Sequence, residues 1–215
     1  MDRDAIDRWL RVLGAATSTH PLPEPAEADG WIGTFADEAG HRRDVDRPLL
    51  GWLLGVAAGD RGAEPIHEAP IDVVLWAAAR DGSMRELGVQ ESGSLQPFAW
   101  AEAGRVAIEV WTERELSAIQ ALWAIGIERR DEHARTRAED AARWCVAELQ
   151  PDNATNHPWA IDVFAWLGAR GDGHADLYAQ TLLHNATIAT GRPGRFSAMI
   201  LHAAARSLRA AVDRE

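Results

Sequence analysis

Four segments of this chain contain a proline near their start and then carry apolar residues on nearly every side. They read DRPLLGWLLGVAAG, HEAPIDVVLWAAARDG, NHPWAIDVFAWLGARG and GRPGRFSAMILHAAARSL. Proline fits the first turn of a helix, because the N–H that it lacks would have no partner inside the helix there. A helix that is apolar all round is normally buried between neighbours. The sequence therefore predicts four buried helices.

The rest of the chain is also helical in pattern. Residues 4–14 and 134–149 each place apolar side chains on one stripe, at the spacing of an amphipathic helix. Thr112 stands three residues before Glu115, which is the spacing of a capping box. We expect a helix to start there and to run to about Ile127. The predicted fold class is all-α.

Two of these segments are related to each other. Residues 71–80, IDVVLWAAAR, align without gaps to residues 161–170, IDVFAWLGAR, and six of the ten positions are identical. The shared Asp and Trp predict an internal duplication of a helical unit around 67–90 and 157–180. Coincidence between alanine-rich helices is the alternative. We expect a single helical domain, residues 1–215, whose antiparallel hairpins form a curved solenoid or partial α/α toroid.

Two stretches are predicted to depart from helix. Val106, Ile108 and Val110 recur at the period of a strand, so a short β-hairpin is expected near residues 97–111. Two strands alone are only marginally stable, and this hairpin must lie against the helices. Residues 17–30 hold three prolines and are expected to form an extended connection.

Composition excludes several classes of function. The formal net charge is −11 and the arginines are interleaved with acids, which argues against nucleic acid as a partner. Cys145 is the only cysteine, so no intramolecular disulfide or cysteine zinc cluster can form. No HExxH, Walker or GxGxxG pattern occurs, and we expect neither a metal nor a cofactor. No apolar run reaches the ~18 residues of a membrane span, and no secretory signal is recognisable, so a cytoplasmic location is expected.

The stretch QPDNATNHPWAIDVFAW, residues 150–166, is where chemistry is expected if the protein performs any. It concentrates carboxylates, amides, an imidazole and indoles in a short space. Asp152, His157 and Asp162 are the candidate catalytic residues, because a carboxyl or imidazole group held near a substrate acts as a general acid or base.

A second loop carries a similar set of residues. Asn-Ala-Thr recurs at 185–187, directly after a histidine. If the loops 150–159 and 184–195 lie at equivalent ends of neighbouring hairpins, they face one rim. The candidate ligand-binding residues of this rim are Asn153, Thr155, Trp159, His184 and Asn185.

The alternative interpretation of the first loop is structural. Asn156 is placed like the N-cap of a helix starting near Pro158, and its polar neighbours are residues that close turns. Asp152 and His157 have no evident duty in starting that helix. Their replacement by alanine is therefore expected to leave stability nearly unchanged and to abolish ligand binding.

The arrangement resembles the helical-hairpin barrels called α/α toroids, which include terpenoid cyclases, protein prenyltransferase β-chains and several glycosidases. The resemblance covers roughly residues 46–213 and is carried by the buried helices, the duplicated IDV..W..AR and QPDNATNHPW. The last of these is similar to the Gln…Trp motif of triterpene cyclases, although Pro158 stands where that motif has glycine. No DxDD or DDxxD signature occurs, so the resemblance implies a fold and no catalytic residue.

Two functions remain open from the sequence. The first is a binding or scaffolding module that holds a small molecule or a partner segment at the rim. The second is an acid–base hydrolase or lyase acting there on a sugar-like or isoprenoid substrate. An enzyme should bring Asp152, His157 or Asp162 together in a pocket with at least one desolvated carboxylate. Side chains occupied in capping would favour the binding module.

Overall fold

The structure, a computed structural model, describes residues 1–35, 47–55, 70–81, 97–99, 103–149 and 157–215. These residues contain α-helices, the 3₁₀ helix Pro25–Glu27 and no strand, which confirms the all-α fold class. The α-helices are α1 (Arg3–Thr17), α2 (Ala28–Gly33), α3 (Arg47–Leu54), α4 (Ile71–Asp81), α5 (Ile108–Arg129), α6 (Glu132–Glu148), α7 (Ile161–Ala169), α8 (Gly173–Thr187) and α9 (Arg195–Val212).

Helix α5 is the centre of the described part of the molecule. It packs against α4, α6, α7 and α9, and nearly every side chain from Trp111 to Ile127 is buried. The helix ends at Arg130, which adopts the left-handed conformation with φ 58°, and the chain turns directly into α6. Gly126 lies at this turn, where a Cβ would come within 2.7 Å of the backbone nitrogen of Arg135. Glycine therefore allows α5 and α6 to meet closely.

Helices α7 and α8 form a second hairpin of the same kind. Gly168 near the end of α7 faces Asp176 in α8, where a Cβ would approach the Cβ of Asp176 to 2.8 Å and its Cα to 3.0 Å. The turn itself uses Gly171 at φ 103°, a conformation that residues with a Cβ rarely adopt. Asp172 then caps α8 by accepting hydrogen bonds from the backbone N–H groups of His174 and Ala175.

The N-terminal helix joins this hairpin to the C-terminal helix. Helix α1 packs against α9 and α7, and the backbone N–H of Asp2 donates to the carbonyl of Ala169 at the end of α7. The indole N–H of Trp9 donates to Asp176 at 2.8 Å. The first and last helices of the described chain are therefore neighbours. Helix α3 packs on α9 and α4, and α2 packs on α3.

The predicted β-hairpin is wrong in its second half, because residues 108–111 are the first turn of α5. The alternation of Val106, Ile108 and Val110 does not mark a buried face, since Ile108 is 50 % exposed. The predicted capping box is wrong for the same reason. The hydroxyl of Thr112 donates to the carbonyl of Ile108, and the carboxylate of Glu115 accepts from the N–H groups of residues 98 and 99.

Other boundaries also differ from the expectation. The stretch 17–30 is extended only in part, since it contains the 3₁₀ helix and the start of α2. Helix α7 begins at Ile161 with Ala160 as its N-cap, so Asn156 is not the cap of this helix. Pro158, whose φ is fixed by its ring, lies in the segment that leads into α7 and not in the first turn of the helix. Within the described ranges, no helix combines the length and the apolar character needed to cross a membrane.

Candidate functional site

The predicted loop is described only from His157 onward. Asp152, Asn153, Thr155 and Asn156 lie outside the described residues. The remaining part, residues 157–162, leads the chain into α7 and is buried along its whole length. We call these residues the α7 start.

His157, the first residue of the α7 start, packs against α9. It is 2 % exposed, and its Nδ1 lies 3.0 Å from the hydroxyl oxygen of Ser197. Its ring packs edge-on to Phe196 with 4.9 Å between ring centroids. The expectation that His157 has no structural duty is therefore wrong, because this imidazole fixes the α7 start to the first turn of α9 and its removal would cost stability.

Trp159 lies in the core and not at an exposed rim. It is fully buried, and its indole N–H donates to Glu113 of α5 at 3.3 Å. The ring lies 6.0 Å from Trp76 and 5.6 Å from Phe196, between centroids. The position beside an element end suggested a cavity rim, but the indole fills the space between α4, α5 and α9.

Ala160 carries backbone strain at the N-cap of α7. It has φ 59° and ψ 14°, a left-handed conformation that is unfavourable for a residue with a Cβ. The strained peptide is held by a hydrogen bond of 3.0 Å from the N–H of Ala160 to the side-chain carbonyl of Gln120. Strain of this kind persists only where the surroundings over-determine it, and it is enriched at functional sites.

Asp162 is a fully buried carboxyl in the first turn of α7. Its Oδ1 accepts a hydrogen bond of 3.1 Å from the N–H of Val163. Burial raises the pKa of Asp162 to about 7, although the nearby hydroxyl of Ser207 and the N–H groups of Asp162 and Val163 lower it. A carboxyl with this pKa exchanges protons near neutral pH, as a general acid or base must.

His184 and Asn185 lie elsewhere, in the last turn of α8. His184 is exposed on a groove between α1 and α8 with a volume of about 590 Å³, and Asn185 is half-buried and does not line it. The residues that line the groove are Arg8, Trp9, Val12, Asp176, Gln180, Leu183, His184 and Thr187. We call this the α1–α8 groove.

The polar wall of the α1–α8 groove is organised around one carboxylate. Asp176 accepts hydrogen bonds of 2.8 Å from the indole of Trp9 and from the amide of Gln180, and a longer one of 3.4 Å from Arg8. Val12 of α1, which is 37 % exposed, forms an apolar part of the groove wall. The groove therefore combines fixed polar groups with an apolar surface.

The structure brings together only some of the predicted residues. His157 and Trp159 meet α9 at its first turn, directly after the 184–195 segment, through Phe196 and Ser197. His184 belongs to the α1–α8 groove, which neither His157 nor Asp162 lines. No group of three or more His, Cys, Asp or Glu in the described ranges is arranged to hold a metal ion.

Several partners of the α7 start were not found from the sequence. Glu113 and Gln120 lie on α5, and Ser197 and Ser207 lie on α9. The available signal was a polar residue within an apolar run, which holds for Gln120 in SAIQALWAIG but not for Glu113 in WTERELS. A buried polar group requires a hydrogen-bond partner, so each of these residues indicates a specific contact.

No family model, no curated protein and no solved structure matches this chain. The resemblance to α/α toroids therefore stays a prediction.

Proposed function

We propose that the protein is a binding or scaffolding module that holds a small molecule or a segment of a partner protein at the α1–α8 groove and the adjoining 184–195 edge. The observation that carries this proposal is the groove itself. Its volume of about 590 Å³ falls within the size of ligand sites, roughly 300–1,000 Å³. It also combines an apolar surface with a few fixed polar groups, as such sites do.

The positions of the candidate catalytic residues favour binding over catalysis. His157 is engaged with Ser197 and Trp159 with Glu113, so both side chains hold helices together. Asp162 is fully buried beneath α9. A catalytic group must reach its substrate, and none of these three side chains reaches the groove.

The proposal is tested by screening a library of small amphipathic compounds for a rise in Tm. Compounds that stabilise the wild type should lose their effect on Val12→Asp, because the new carboxylate occupies the apolar wall of the groove. Ile108→Asp is the matched control, since it places the same charge on an exposed apolar residue outside the groove. Equal ligand shifts in both variants would contradict the assignment of the groove.

Acid–base chemistry on a sugar-like or isoprenoid substrate is the second candidate function, and Asp162 favours it. This function requires a desolvated carboxyl beside the predicted loop, and Asp162 is such a group, with a pKa of about 7. Turnover of aryl glycosides or isoprenoid diphosphates that Asp162→Asn abolishes and Val12→Asp preserves would support this function. Turnover that survives in Asp162→Asn would remove Asp162 from it.

The same proposal includes the shape and partners expected from the sequence. A closed arrangement of hairpins requires its first and last helices to be neighbours, and the packing of α1 against α9 is consistent with it. Nearly every side chain of α5 from Trp111 to Ile127 is buried, so ligand access is proposed at the outer groove. The net charge of −11 supports a partner other than nucleic acid.

A further inference from the structure

The contact between α7 and α9 contains a carboxyl group without full hydrogen bonding. Asp162 is fully buried, and its Oδ2 atom has no hydrogen-bond partner among the described residues. On the facing helix, the hydroxyl of Ser207 is also buried and lacks a partner of ordinary geometry. The two groups lie close enough for the hydroxyl to influence the pKa of the carboxyl. An uncompensated buried carboxylate is costly, so the neutral form is favoured here.

No charged side chain compensates Asp162 from the helices that pack around α7. The shift in its pKa has no contribution from a charged neighbour. Ionisable groups of those helices are engaged elsewhere, in caps, indole contacts and carbonyl contacts. They include Asp2 before α1, Glu113 on α5, Glu139 on α6, Asp176 on α8 and Arg206 on α9. Glu128 of α5 lies beside Ser207 in a small cleft, and burial raises its pKa.

We propose that the α7–α9 contact at Asp162 and Ser207 is a proton-sensitive joint, tight while the carboxyl of Asp162 holds a proton and loosened when that proton leaves. In the protonated form the carboxyl O–H donates to the hydroxyl oxygen of Ser207, which gives each of these two buried oxygens a partner. In the ionised form a negative charge lies between two helices with one hydroxyl to solvate it.

The effect extends beyond α7 because Ser207 follows Arg206 on the same helix. The guanidinium of Arg206 donates to the carbonyls of Trp52 and Leu53 at the end of α3, at distances of 3.1–3.3 Å. Ser207 and Arg206 both line a small cleft of about 100 Å³ beside Trp52. A shift of this turn of α9 would therefore change the support of α3.

The direction of the pH dependence follows from the two pKa values. Asp162 has an ordinary value of 3.8 and a folded value of about 7, so the folded state holds the proton more tightly. The stabilisation of the folded state by the proton on Asp162 is complete below pH 3.8. It is lost as pH rises towards 7 and changes little above that value. Between pH 5 and 8 the unfolding equilibrium constant should increase on the order of 100-fold through this group.

The first test is chemical unfolding of the full chain between pH 5 and pH 8. Wild type should show the expected increase in the unfolding constant, and Asp162→Asn should lack it because an amide does not ionise. Asp172→Asn is the control, since Asp172 is also an aspartate in a helix start but is an ordinary N-cap. The same pH dependence in wild type and Asp162→Asn would overturn the proposal.

A second measurement needs no folded variant. The carboxyl carbon of Asp162 in the wild type, followed by nuclear magnetic resonance, should titrate near neutral pH. Hydrogen exchange of the first amides of α7 should accelerate through the same range by more than the tenfold per pH unit of base catalysis. A carboxyl that titrates below pH 5, or exchange that follows base catalysis alone, would overturn the proton-sensitive joint even if Asp162→Asn fails to fold.

Discussion

Helices α4 and α7 carry nearly the same decapeptide and occupy different environments. Asp72 and Asp162 are both fully buried in the first turn of their helices, and Trp76 and Trp166 are both buried one turn later. Four aligned apolar positions differ, since Ile71, Val73, Val74 and Ala77 of α4 are half-buried and their counterparts in α7 are buried. The shared burial of Asp and Trp is what an internal duplication predicts, and it is also what two core helices of similar pattern would show.

The partners of the two indoles differ completely. Trp76 donates its N–H to the hydroxyl of Ser117 and lies 4.4 Å from the ring of Trp52. Trp166 donates to the carboxylate of Glu139 and lies 5.5 Å from Trp123. The core-helix pattern therefore accounts for the burial of the shared Asp and Trp, whereas the neighbouring helices determine what each indole contacts and how deeply the rest of the helix is buried.

The ends of the two helices differ as well. Gly168 allows α8 to fold back onto α7, but the equivalent position of α4 is Ala78. The last carbonyls of α7 accept from backbone N–H groups in its own turn, at Leu167 and Gly168. The carbonyl of Ala78 instead accepts from a side chain of α5, that of Arg129. The carbonyl of Ala169 also accepts from the backbone N–H of Asp2. Helix α7 therefore ends on backbone N–H groups, mostly those of its own turn, whereas α4 ends on a side chain of another helix.

The largest expected effect comes from removing the two indoles. Trp166→Ala should lower the free energy of unfolding by about 4–5 kcal/mol, and Trp76→Ala by about 3 kcal/mol. Trp166 has the larger value because it is fully buried and two guanidinium groups, from Arg135 and Arg170, lie over its ring, whereas Trp76 is 5 % exposed. Denaturant unfolding measures both values.

Trp166→Phe and Trp76→Phe sharpen this prediction. Each keeps most of the ring and loses one hydrogen bond, so the cost should fall to about 1–2 kcal/mol. An effect of Trp76→Ala as large as that of Trp166→Ala would mean that the two environments are energetically equivalent, and near-zero effects of both would contradict burial.

The sequence could predict the depth of these residues and not their contacts. Apolar positions on every side of 161–169 indicate a core helix, and the structure buries almost all of it. The partners of His157 and Trp159 stand 40 and 46 residues away in the chain, so no local pattern indicates them. The strand predicted at Val106–Trp111 failed because a period of two over a few residues also occurs where a helix begins at the surface.

The groove could not be predicted for a related reason. It is formed by two amphipathic helices that lie far apart in the sequence, α1 and α8, and only His184 of the predicted residues lines it. The periodicity of α1 indicates a buried stripe, but it does not say which neighbour leaves a gap beside that stripe. Such contacts are properties of the tertiary fold.

A swap at the eighth position of the decapeptide tests the difference between the helix ends. Gly168→Ala should destabilise the protein by about 1–3 kcal/mol, because the new Cβ would meet the Cβ of Asp176 at 2.8 Å and its Cα at 3.0 Å. Ala78→Gly, the reverse change in α4, should cost only about 1 kcal/mol, from backbone entropy and a lost methyl group.

Thermal unfolding of both variants checks this pair. Gly168→Ser serves as a second variant with a slightly larger side chain, and its effect should be at least that of alanine. A stabilising Gly168→Ala would show that α8 can move away from α7 without loss, which would contradict the close approach of the two helices.

The smallest expected effect concerns the capping of α4 by α5. The Nη2 atom of Arg129 donates to the carbonyls of Ala78 and, at 3.0 Å, of Ala79. Arg129→Met keeps the length of the side chain and removes the donors, so it should cost about 1 kcal/mol.

Arg130→Met is the control, because Arg130 lies beside Arg129, is exposed and makes no contact with α4 among the described residues. Since two carbonyls at a helix end would lose their partner, hydrogen exchange in the last turn of α4 should accelerate in Arg129→Met while exchange at the end of α7 stays unchanged. Acceleration at both helix ends would mean that the two termini are coupled, and the contrast between a self-capped α7 and an α4 capped by a neighbour would then be wrong.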